Sequence, residues 1–268
     1  MNRFAVMGYP VSHSLSPRIH CAFGDLVGRP VSYERREVRP LGLATAFAAF
    51  VRDGGRGANV TVPLKGEAFS LAQRVTDRAR RAQAVNTLYY EGDTLAGDNT
   101  DGVGLIRDLT VNQGLVLAGA RVLLLGAGGA AWGIAGPLLD EGLAVLAVVN
   151  RTPARAKRLV AVLDDERVYL GAEGAAAGPY DLVINATAAG LAGDLPALPA
   201  EAFAGAVVYD LVYGPAAQAF LAHARAQGAR QTVDGLGMLV EQAAESFFIW
   251  QGVRPPTAPV LAQLRSTA

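Results

Sequence analysis

Polar side chains that can do chemistry are concentrated in four short motifs within the first 102 residues. The motifs are SHSLSP at 12–17, NVTVPLK at 59–65, VNT at 85–87 and DNTDG at 98–102. Their hydroxyl, amide, ammonium and carboxylate groups suit hydrogen bonding to a small polyhydroxylated molecule. The three histidines and the single cysteine are too scattered to form a zinc set, so the sequence predicts no metal site.

Lys65 stands out within these motifs because the chain hardly uses lysine. Lys65 and Lys157 are the only lysines among 24 basic residues. A lysine ammonium can release its proton when burial lowers its pKa, whereas an arginine stays protonated. A group that protonates a carbonyl oxygen needs that property. We therefore interpret Lys65 as a candidate acid/base whose ammonium is held by Asp101; the alternative is an ordinary surface charge.

A glycine-rich turn marks a second candidate site. In VLLLGAGGAA, residues 122–131, a predicted strand runs into G-x-G-x-x-A, which begins at Gly126, and then into a predicted helix. The first glycine permits a tight turn, the second lets the backbone approach a pyrophosphate, and the small third residue lets helix and strand pack closely. The helix N-terminus then faces the phosphates. This context favours a dinucleotide site over a purely structural turn.

The preferred cofactor is indicated by residues 150–155, after the next predicted strand. An Asp or Glu there would bind the ribose diol of NAD and would repel a 2′-phosphate. The chain instead has the uncharged Asn150, followed by Arg151, Thr152 and Arg155. Guanidinium and hydroxyl groups offer hydrogen bonds to a phosphate, and those from arginine are charge-assisted. The pattern predicts NADP; the alternative is that the arginines are solvated residues of a first helical turn.

Short apolar runs alternate with helical patterns along the chain, which indicates an α/β fold. In the first half, strands are predicted at 4–7, 31–38 and 59–62, helices at 17–27, 41–53 and 64–73, a hairpin at 85–96, and a helix from 101 to about 112. From Arg121 strands and helices alternate strictly, which is typical of a parallel sheet covered on both faces. The final helices carry an apolar stripe from Leu236 to Trp250, and Gln242 lies off it.

Composition narrows the possible classes of function. The formal net charge is zero and the pI is about 6.8, which gives no electrostatic reason to expect nucleic acid or an anionic membrane surface as a partner. The uncharged stretch 122–139 is long enough to cross a membrane, but its five glycines and one proline favour a strand, a turn and a helix. Cys21 is the only cysteine and no signal-peptide pattern opens the chain, so we expect a cytoplasmic protein.

Nine motifs occur in the order that is found in shikimate dehydrogenases. They are GYPVSHSLSP, GANVTVPLK, AVNTL, GDNTDGVG, GAGGAA, NRTPAR, INAT, YDLVY and DGLGMLVEQAA. The chain resembles that family along its whole length, with GANVTVPLK and DNTDG as the most specific motifs. The resemblance implies the NADPH-dependent reduction of 3-dehydroshikimate to shikimate, a step of aromatic amino-acid biosynthesis.

The resemblance also implies roles for individual residues that would contact the substrate. Lys65 would be the catalytic acid/base and Asp101 its partner. The implied substrate-binding residues are Ser14, Ser16 and Tyr213 for the carboxylate, Thr61, Asn86 and Gln242 for the hydroxyls, and Asn59, which would shape the pocket.

On the cofactor side, the implied residues fall into three groups. They are Gly126, Ala127, Gly128, Gly129 and Ala130 at the pyrophosphate, Asn150, Arg151, Thr152 and Arg155 at the adenosine phosphate, and Thr187, Leu211, Gly235 and Met238 near the nicotinamide. Asp77 also matches a position associated with the cofactor, although an exposed Asp at a helix start explains it equally well. Two departures stand out. The run 188–190, Ala-Ala-Gly, replaces hydroxyl-bearing residues of some relatives, and Trp132 replaces a common Arg or Lys with a packing or stacking surface.

We expect two α/β domains with the active site in the cleft between them. The substrate-binding domain is predicted at 1–101, with the C-terminal helices 236–268 packed back on it, and a Rossmann NADP-binding domain at 102–235. The predicted assembly is a monomer or a homodimer. One alternative is a quinate/shikimate dehydrogenase that prefers NAD, against which Asn150 argues. The other is a non-catalytic NADP-binding regulatory module, which could lack Lys65 or Asp101.

Overall fold

The computed structural model describes residues 1–171, 177–187 and 198–266. The chain divides into two compact units, Met1–Leu105 with Leu239–Ala268, and Ile106–Met238. The domain bounds predicted from the sequence stay a prediction. The departure at 188–190 lies outside the described residues. Within the described residues, no helix is long and apolar enough to cross a membrane.

The first unit is built on a mixed sheet. Its strands are β1 (Asn2–Gly8), β2 (Val31–Glu37), β3 (Gly55–Val60), β4 (Arg74–Val75), β5 (Thr87–Glu91) and β6 (Thr94–Asp98). They lie in the order β2-β1-β3-β5-β6-β4. β1 runs parallel to β2 and β3, β5 is antiparallel to β3 and β6, and β4 is parallel to β6. The predicted hairpin is confirmed as the β5–β6 pair.

Helices follow these strands and supply the apolar core of the first unit. They are α1 (Ser16–Leu26), α2 (Leu43–Arg52), α3 (Lys65–Leu71), α4 (Asp77–Ala82) and α5 (Asp101–Arg107). On α2, Leu43, Phe47 and Phe50 recur at helical spacing and are buried. They share one apolar cluster with Met7 of β1 and Leu64, the residue before α3. Packing of this cluster therefore places the start of α3, where Lys65 lies.

The second unit is built on a parallel sheet, as the strict strand–helix alternation predicts. Its strands are β7 (Arg121–Leu125), β8 (Val145–Val149), β9 (Val168–Leu170), β10 (Leu182–Asn185), β11 (Val207–Asp210) and β12 (Gln231–Asp234), in the order β12-β11-β10-β7-β8-β9. Every pairing among them is parallel. Among the residues that the structure describes, α-helices follow these strands at α6 (Gly129–Asp140), α7 (Pro153–Leu163) and α8 (Gln218–Ala226). The stretch 122–139 is therefore a strand, a turn and a helix, as expected.

Two helices close the chain, α9 (Leu236–Gln251) and α10 (Ala258–Ser266). Along α9, Val240, Ala243 and Phe247 are completely buried. This confirms the predicted apolar stripe. Gln242 is partly exposed, which agrees with its position off the stripe.

The structure differs from the sequence-based expectation at several places, among them the strand predicted at 59–62, which is observed as β3 at Gly55–Val60. β4 and α4 are not predicted, because they are only two and six residues long and rich in arginine. The helix predicted from 101 to about 112 is α-helical only as far as Arg107 and continues as a π-helical turn, Asp108–Asn112. This wider turn brings the side-chain amides of Asn112 and Gln113 to the buried Asp108 carboxylate, at 2.9 and 3.4 Å.

Candidate active site

Lys65 and Asp101 come together at the starts of two helices. Lys65 is the first residue of α3 and Asp101 the first of α5. Lys65 Nζ forms an ion pair with Asp101 Oδ2, and the two side chains are only 18% and 7% exposed. The Asp101 N–H donates to Asn99 Oδ1 at 3.1 Å. The N-terminus of α5 carries the positive end of the helix dipole, which is a favourable place for the side chain of an aspartate.

Asn86 orients the Asp101 carboxylate through its other oxygen. Asn86 Nδ2 donates to Asp101 Oδ1 at 2.8 Å. Asn86 Oδ1 accepts from the Thr100 N–H and from Thr87 Oγ1, both at 2.9 Å. A buried amide that is hydrogen-bonded at both ends has one orientation. Asn86 therefore fixes the direction in which Asp101 faces Lys65.

Gln242 reaches the same cluster from α9. Its Oε1 accepts from Asn86 Nδ2 and Thr100 Oγ1, both at 3.3 Å, and its Nε2 donates to the Leu239 carbonyl at 2.9 Å. A Cβ added to Gly104 would lie 2.6 Å from the Gln242 Cβ and 2.7 Å from its backbone nitrogen. Glycine at this position therefore allows α9 to bring Gln242 close to α5.

Sequence reasoning missed Tyr33, which holds Asn59 in place. The Tyr33 hydroxyl donates to Asn59 Oδ1 at 2.7 Å, and both side chains are buried. His20 stacks on the Tyr33 ring with centroids 4.4 Å apart, and burial lowers the pKa of His20 to about 3, so the imidazole is neutral. Tyr33 lies on β2, far from Asn59 in sequence, and no local pattern marks this pair.

Ser246 is the second missed residue of this network. Its Oγ accepts from Asn59 Nδ2 at 3.0 Å and lies 2.8 Å from Thr87 Oγ1. It follows Gln242 by one helical turn and donates to the Gln242 carbonyl at 3.1 Å. That four-residue spacing is the signal that could have found it. Since Asn59 is buried and bonded within the protein, its geometry suits a residue that shapes a pocket.

Ser14 and Ser16 form a small hydroxyl pair at the start of α1. Their Oγ atoms are 3.1 Å apart, and the Ser16 N–H donates to Ser14 Oγ at 3.2 Å. The guanidinium of Arg35 donates twice to the Ser14 carbonyl, at 2.9 and 2.7 Å. Two hydroxyls, a nearby cation and a helix N-terminus are a combination that favours an anion such as a carboxylate.

Thr61 and Tyr213 occupy partly exposed positions. Thr61 lies in the turn between β3 and α3, where its N–H donates to the Met7 carbonyl at 2.9 Å. A Cβ added to Gly8 would collide with the Thr61 methyl group, so this glycine accommodates the threonine. Tyr213 belongs to the second unit, where burial raises the pKa of its hydroxyl.

An ion-pair network supports the loop that leads into α5. Arg78 donates to Asp98 Oδ1 and Oδ2 at 2.7 and 2.6 Å and to Glu245 Oε1 at 3.0 Å. Thr76 Oγ1 adds a hydrogen bond of 2.6 Å to Asp98. Burial opposes ionisation of Asp98, but the Arg78 guanidinium outweighs it and the pKa of Asp98 lies below its ordinary value. The network therefore anchors the end of β6, three residues before Asp101.

In the second unit, the glycine-rich turn leaves open space over the start of α6. Gly126 has φ +107°, and a Cβ there would lie 3.0 Å from the Ala186 carbonyl oxygen, so only glycine suits the turn. Gly128 and Gly129 are exposed, and a Cβ on either would meet no atom within 4 Å. No side chain caps α6. Its first N–H groups are thus available to a pyrophosphate.

Asn150 ties this turn to the start of α7. Its Oδ1 accepts from the Ala127 N–H at 3.1 Å, and its Nδ2 donates to the Thr152 carbonyl at 2.9 Å. A carboxylate could make the first bond but not the second, because it has no N–H. Arg151, Thr152 and Arg155 are all exposed around this point. The donor set fits a phosphate on the adenosine ribose.

The four residues predicted near the nicotinamide follow three neighbouring strands. Thr187 follows β10, and its Oγ1 donates to Asn185 Oδ1 at 2.6 Å. Leu211 follows β11 and Gly235 follows β12; a Cβ on Gly235 would collide with the Leu211 carbonyl. The Met238 N–H donates to the Tyr209 hydroxyl at 3.3 Å. Because the carboxyl ends of parallel strands lie at one edge of a sheet, these residues share that edge, where open α/β sheets bind ligands.

Three segments of the chain match families of known proteins. Residues 6–88 match the family described as the shikimate dehydrogenase substrate binding domain, 109–192 match shikimate / quinate 5-dehydrogenase, and 235–265 match the shikimate 5'-dehydrogenase C-terminal domain. A shikimate dehydrogenase (NADP(+)) of Alkalilimnicola ehrlichii is 53% identical and is aligned over 98% of each chain. The chain belongs to the shikimate dehydrogenase family.

Solved structures agree with membership of the shikimate dehydrogenase family. Shikimate 5-dehydrogenase of Thermus thermophilus, in complex with NADP(H) and shikimate, has a TM-score of 0.87 and 35% identity over the whole of both chains. The structure of an Ael1 enzyme from Pseudomonas putida has a TM-score of 0.92 and 42% identity over 98% of each chain. The predicted fold class, two α/β domains of which one is Rossmann-type, is confirmed.

Two further predicted positions are now placed. Asp77 begins α4, where it is exposed and pairs with Arg80 at 2.5 Å, while Thr76 caps the helix. This geometry suits a helix-start residue, and a cofactor role for Asp77 stays a prediction. Trp132 lies one turn into α6, and the guanidinium of Arg158 lies over its ring, 5.6 Å from the centroid. The departure from the usual family residue is therefore a stacking surface.

Proposed function

We propose that this chain catalyses the reversible, NADPH-dependent reduction of 3-dehydroshikimate to shikimate. The observation that carries the proposal is the shielded ion pair of Lys65 with Asp101, set in the hydrogen-bond network of Asn86 and Gln242. Family membership supports the substrate and the cofactor, since the Thermus thermophilus relative is described with both NADP(H) and shikimate.

Lys65 supplies and receives the proton of the reaction. In the reducing direction, its ammonium donates a proton to the carbonyl oxygen as that oxygen becomes a hydroxyl, and the neutral amine is reprotonated from solvent. In the oxidising direction, the neutral amine accepts the hydroxyl proton. Asp101 holds Nζ in place and stabilises the ammonium, and Asn86 keeps Asp101 in the orientation that this requires.

The substrate is bound by polar side chains that can form hydrogen bonds with it. Ser14 and Ser16 bind the substrate carboxylate at the N-terminus of α1, where the Arg35 guanidinium adds positive charge. Thr61 and Gln242, which are partly exposed, bind hydroxyl groups of the ring. Asn86 is almost completely buried, so its contribution is chiefly to hold this cluster together, and a direct bond from it to a substrate hydroxyl stays a prediction. A role of Tyr213 in binding the carboxylate stays a prediction from the family resemblance.

When bound, NADPH would supply the hydride for the carbonyl carbon. Residues of the second unit would hold it: the N–H groups at the start of α6 would bind its pyrophosphate, and Arg151, Thr152 and Arg155 would bind its 2′-phosphate. Asn150 shapes both loops through its two hydrogen bonds. Thr187, Leu211, Gly235 and Met238 line the nicotinamide end. A reducing compartment such as the cytoplasm suits this chemistry and the free Cys21.

The test is the rate of formation of the reduced nucleotide, NADPH or NADH, with shikimate and quinate, each offered with NADP⁺ and with NAD⁺. We expect turnover chiefly with shikimate and NADP⁺. Lys65→Ala should lower kcat by roughly a thousandfold with little change in KM, the pattern for a group that acts mainly in the transition state. Lys65→Arg keeps the charge but cannot cycle a proton, so it should fail nearly as badly.

Other outcomes point to the alternatives. A clear preference for NAD⁺ with quinate turnover would replace the proposal by a quinate/shikimate dehydrogenase. Binding of NADP⁺ without turnover of either substrate would indicate a regulatory module. Wild-type activity in Lys65→Arg would show that positive charge, and not proton transfer, is what position 65 supplies. Circular dichroism of each variant checks that the fold is kept, and light scattering distinguishes a monomer from a homodimer.

A further inference from the structure

Trp132 and Arg158 form a contact between the two helices that begin at the cofactor loops. Trp132 is the fourth residue of α6, which starts at the glycine-rich turn, and Arg158 is the sixth residue of α7. The guanidinium lies over the indole ring, 5.6 Å from its centroid. Tryptophan is the best aromatic partner for a cation, and the contact restricts an otherwise mobile, exposed side chain.

The direction of Arg158 follows from helix geometry. Arg155 and Arg158 are three residues apart on α7, so they lie on the same face of that helix. Side chains of an α-helix lean toward its N-terminus, which directs Arg158 toward the turn that carries Arg155. The start of α7 is joined to the glycine-rich turn through Asn150, which bonds both Ala127 and Thr152. Arg158 thus adds a guanidinium to the region between the two loops.

The charge around Arg158 favours an anion with more than one negative charge. α7 has the sequence PARAKRLVAVL, with three cationic side chains and no acidic one. Its N-terminus carries the positive end of the helix dipole. A phosphate monoester bears a charge of about −1.5 to −2 at neutral pH, whereas a ribose hydroxyl bears none. A cation at this position is therefore expected to favour the nucleotide that carries this phosphate.

We propose that Arg158, held by the ring of Trp132, is a further residue that determines the preference for a 2′-phosphorylated nucleotide. The inference rests on the proposed cofactor site, in which Arg151, Thr152 and Arg155 are the first phosphate ligands. Arg158 acts beside them as an additional cation. Trp132 acts through Arg158 and is a positioning residue.

The experiment measures nucleotide binding by isothermal titration calorimetry on the full chain, without substrate or turnover. Adenosine 2′,5′-bisphosphate and adenosine 5′-monophosphate differ only in the 2′-phosphate, so their Kd ratio reports that group. Arg158→Leu should raise the Kd of the bisphosphate about fivefold, the upper range for one exposed charge contact, and leave the monophosphate unchanged. The loss should shrink in high salt.

Lys157→Leu is the control for loss of charge, and Trp132→Leu, alone and combined with Arg158→Leu, tests the contact between the two side chains. Lys157→Leu removes the same charge from the neighbouring exposed position of α7, about 100° around the helix, and should change the bisphosphate Kd by less than about twofold. Trp132→Leu should reproduce most of the Arg158→Leu effect, and the double variant should be no worse than Arg158→Leu alone, because the two residues act as a unit.

The outcomes separate this inference from the proposed function. If the wild type binds both nucleotides and Arg158→Leu behaves as Lys157→Leu does, Arg158 has no part in 2′-phosphate recognition and only this inference fails. Equal weakening of both nucleotides by Arg158→Leu also overturns it. If the wild type shows no preference for the bisphosphate at all, the proposed NADP site is wrong and the inference falls with it.

Discussion

Replacing Tyr209 by phenylalanine removes one oxygen from a completely buried site of the second unit. The Tyr209 hydroxyl donates to Asp108 Oδ2 at 2.5 Å and accepts from the Met238 N–H at 3.3 Å. Tyr209 and Asp108 are both 0% exposed. Burial and the Asp108 carboxylate hold the pKa of Tyr209 well above its ordinary value, so the hydroxyl keeps its proton and remains the donor.

The size of the effect follows from what the substitution leaves behind. A hydrogen bond to a charged group contributes about 1.5–3 kcal/mol to stability, and a buried N–H without an acceptor costs about 1 kcal/mol more. The Asp108 carboxylate keeps its bonds to Asn112 and Gln113, so it is not left wholly without partners. We therefore expect Tyr209→Phe to lower the free energy of unfolding by about 3 kcal/mol.

Urea unfolding followed by far-UV circular dichroism measures this change. Tyr169→Phe is the matched control, since the Tyr169 hydroxyl has no hydrogen-bond partner among the described residues and its loss should cost less than about 0.5 kcal/mol. A cycle with Asp108→Leu tests the pair itself. Because the double variant replaces both partners by apolar groups, it should be at least about 1 kcal/mol more stable than additivity predicts.

The result that refutes this reasoning is a Tyr209→Phe variant within about 0.5 kcal/mol of the wild type, or a cycle that is additive. Either would mean that the short contact to Asp108 makes no net contribution. Gly237 also lies against Asp108, since a Cβ added to this glycine would collide with the Asp108 carboxylate. If the hydrogen bond makes no net contribution, that closeness reflects packing alone.

Two further predictions concern titration and close packing. Burial raises the pKa of Asp210 from 3.8 to about 6, so the folded state binds the proton more tightly than the unfolded state does. Protonation of Asp210 therefore stabilises the fold by on the order of 3 kcal/mol. This stabilisation is complete below pH 3.8 and is lost as the pH rises through 6. Asp210→Asn should flatten unfolding free energy against pH between 4 and 7, and an unchanged slope would contradict the assignment. Gly104→Ala should push Gln242 away and raise the KM for shikimate roughly tenfold, while Gly66→Ala, where a Cβ meets no atom within 4 Å, should leave KM unchanged. Equal KM values for these two variants would show that the approach of Gln242 does not matter for binding.

Features that depend on consecutive residues could be predicted from the sequence. The turn at Gly126 is one, because a strand, a positive-φ glycine and an uncapped helix start follow one another along the chain. The preference for NADP is another. It is predicted because Asn150 is uncharged and cannot repel a 2′-phosphate as a carboxylate would, and this property depends on residue type and not on packing. Lys65 and Asp101 could be singled out by residue type and motif, and the structure places their charged groups in contact.

Features that depend on the order of strands could not be predicted in this way. Tyr33 meets Asn59 because β2 and β3 flank β1, and nothing in the residues around position 33 signals this. Arg78 of α4 meets Glu245 of α9 across 167 positions of sequence, in a contact between two helices that no local pattern signals. β4 and α4 could not be predicted, because elements of two and six residues show too little periodicity to be distinguished from a loop.

By itself, the sequence determined which chemical groups this protein has and which local turns present them: a lysine, Lys65, in a chain whose basic residues are nearly all arginine, a glycine-rich turn before a helix, and a basic segment without acidic residues. Only the tertiary structure decided which of these groups meet. It showed that Asn86, a predicted substrate ligand, also bonds the Asp101 carboxylate, and it set the Arg158 guanidinium on the Trp132 ring. The physical reason is that residue type and local spacing are properties of the chain, whereas hydrogen-bond partners and burial arise from packing between distant segments.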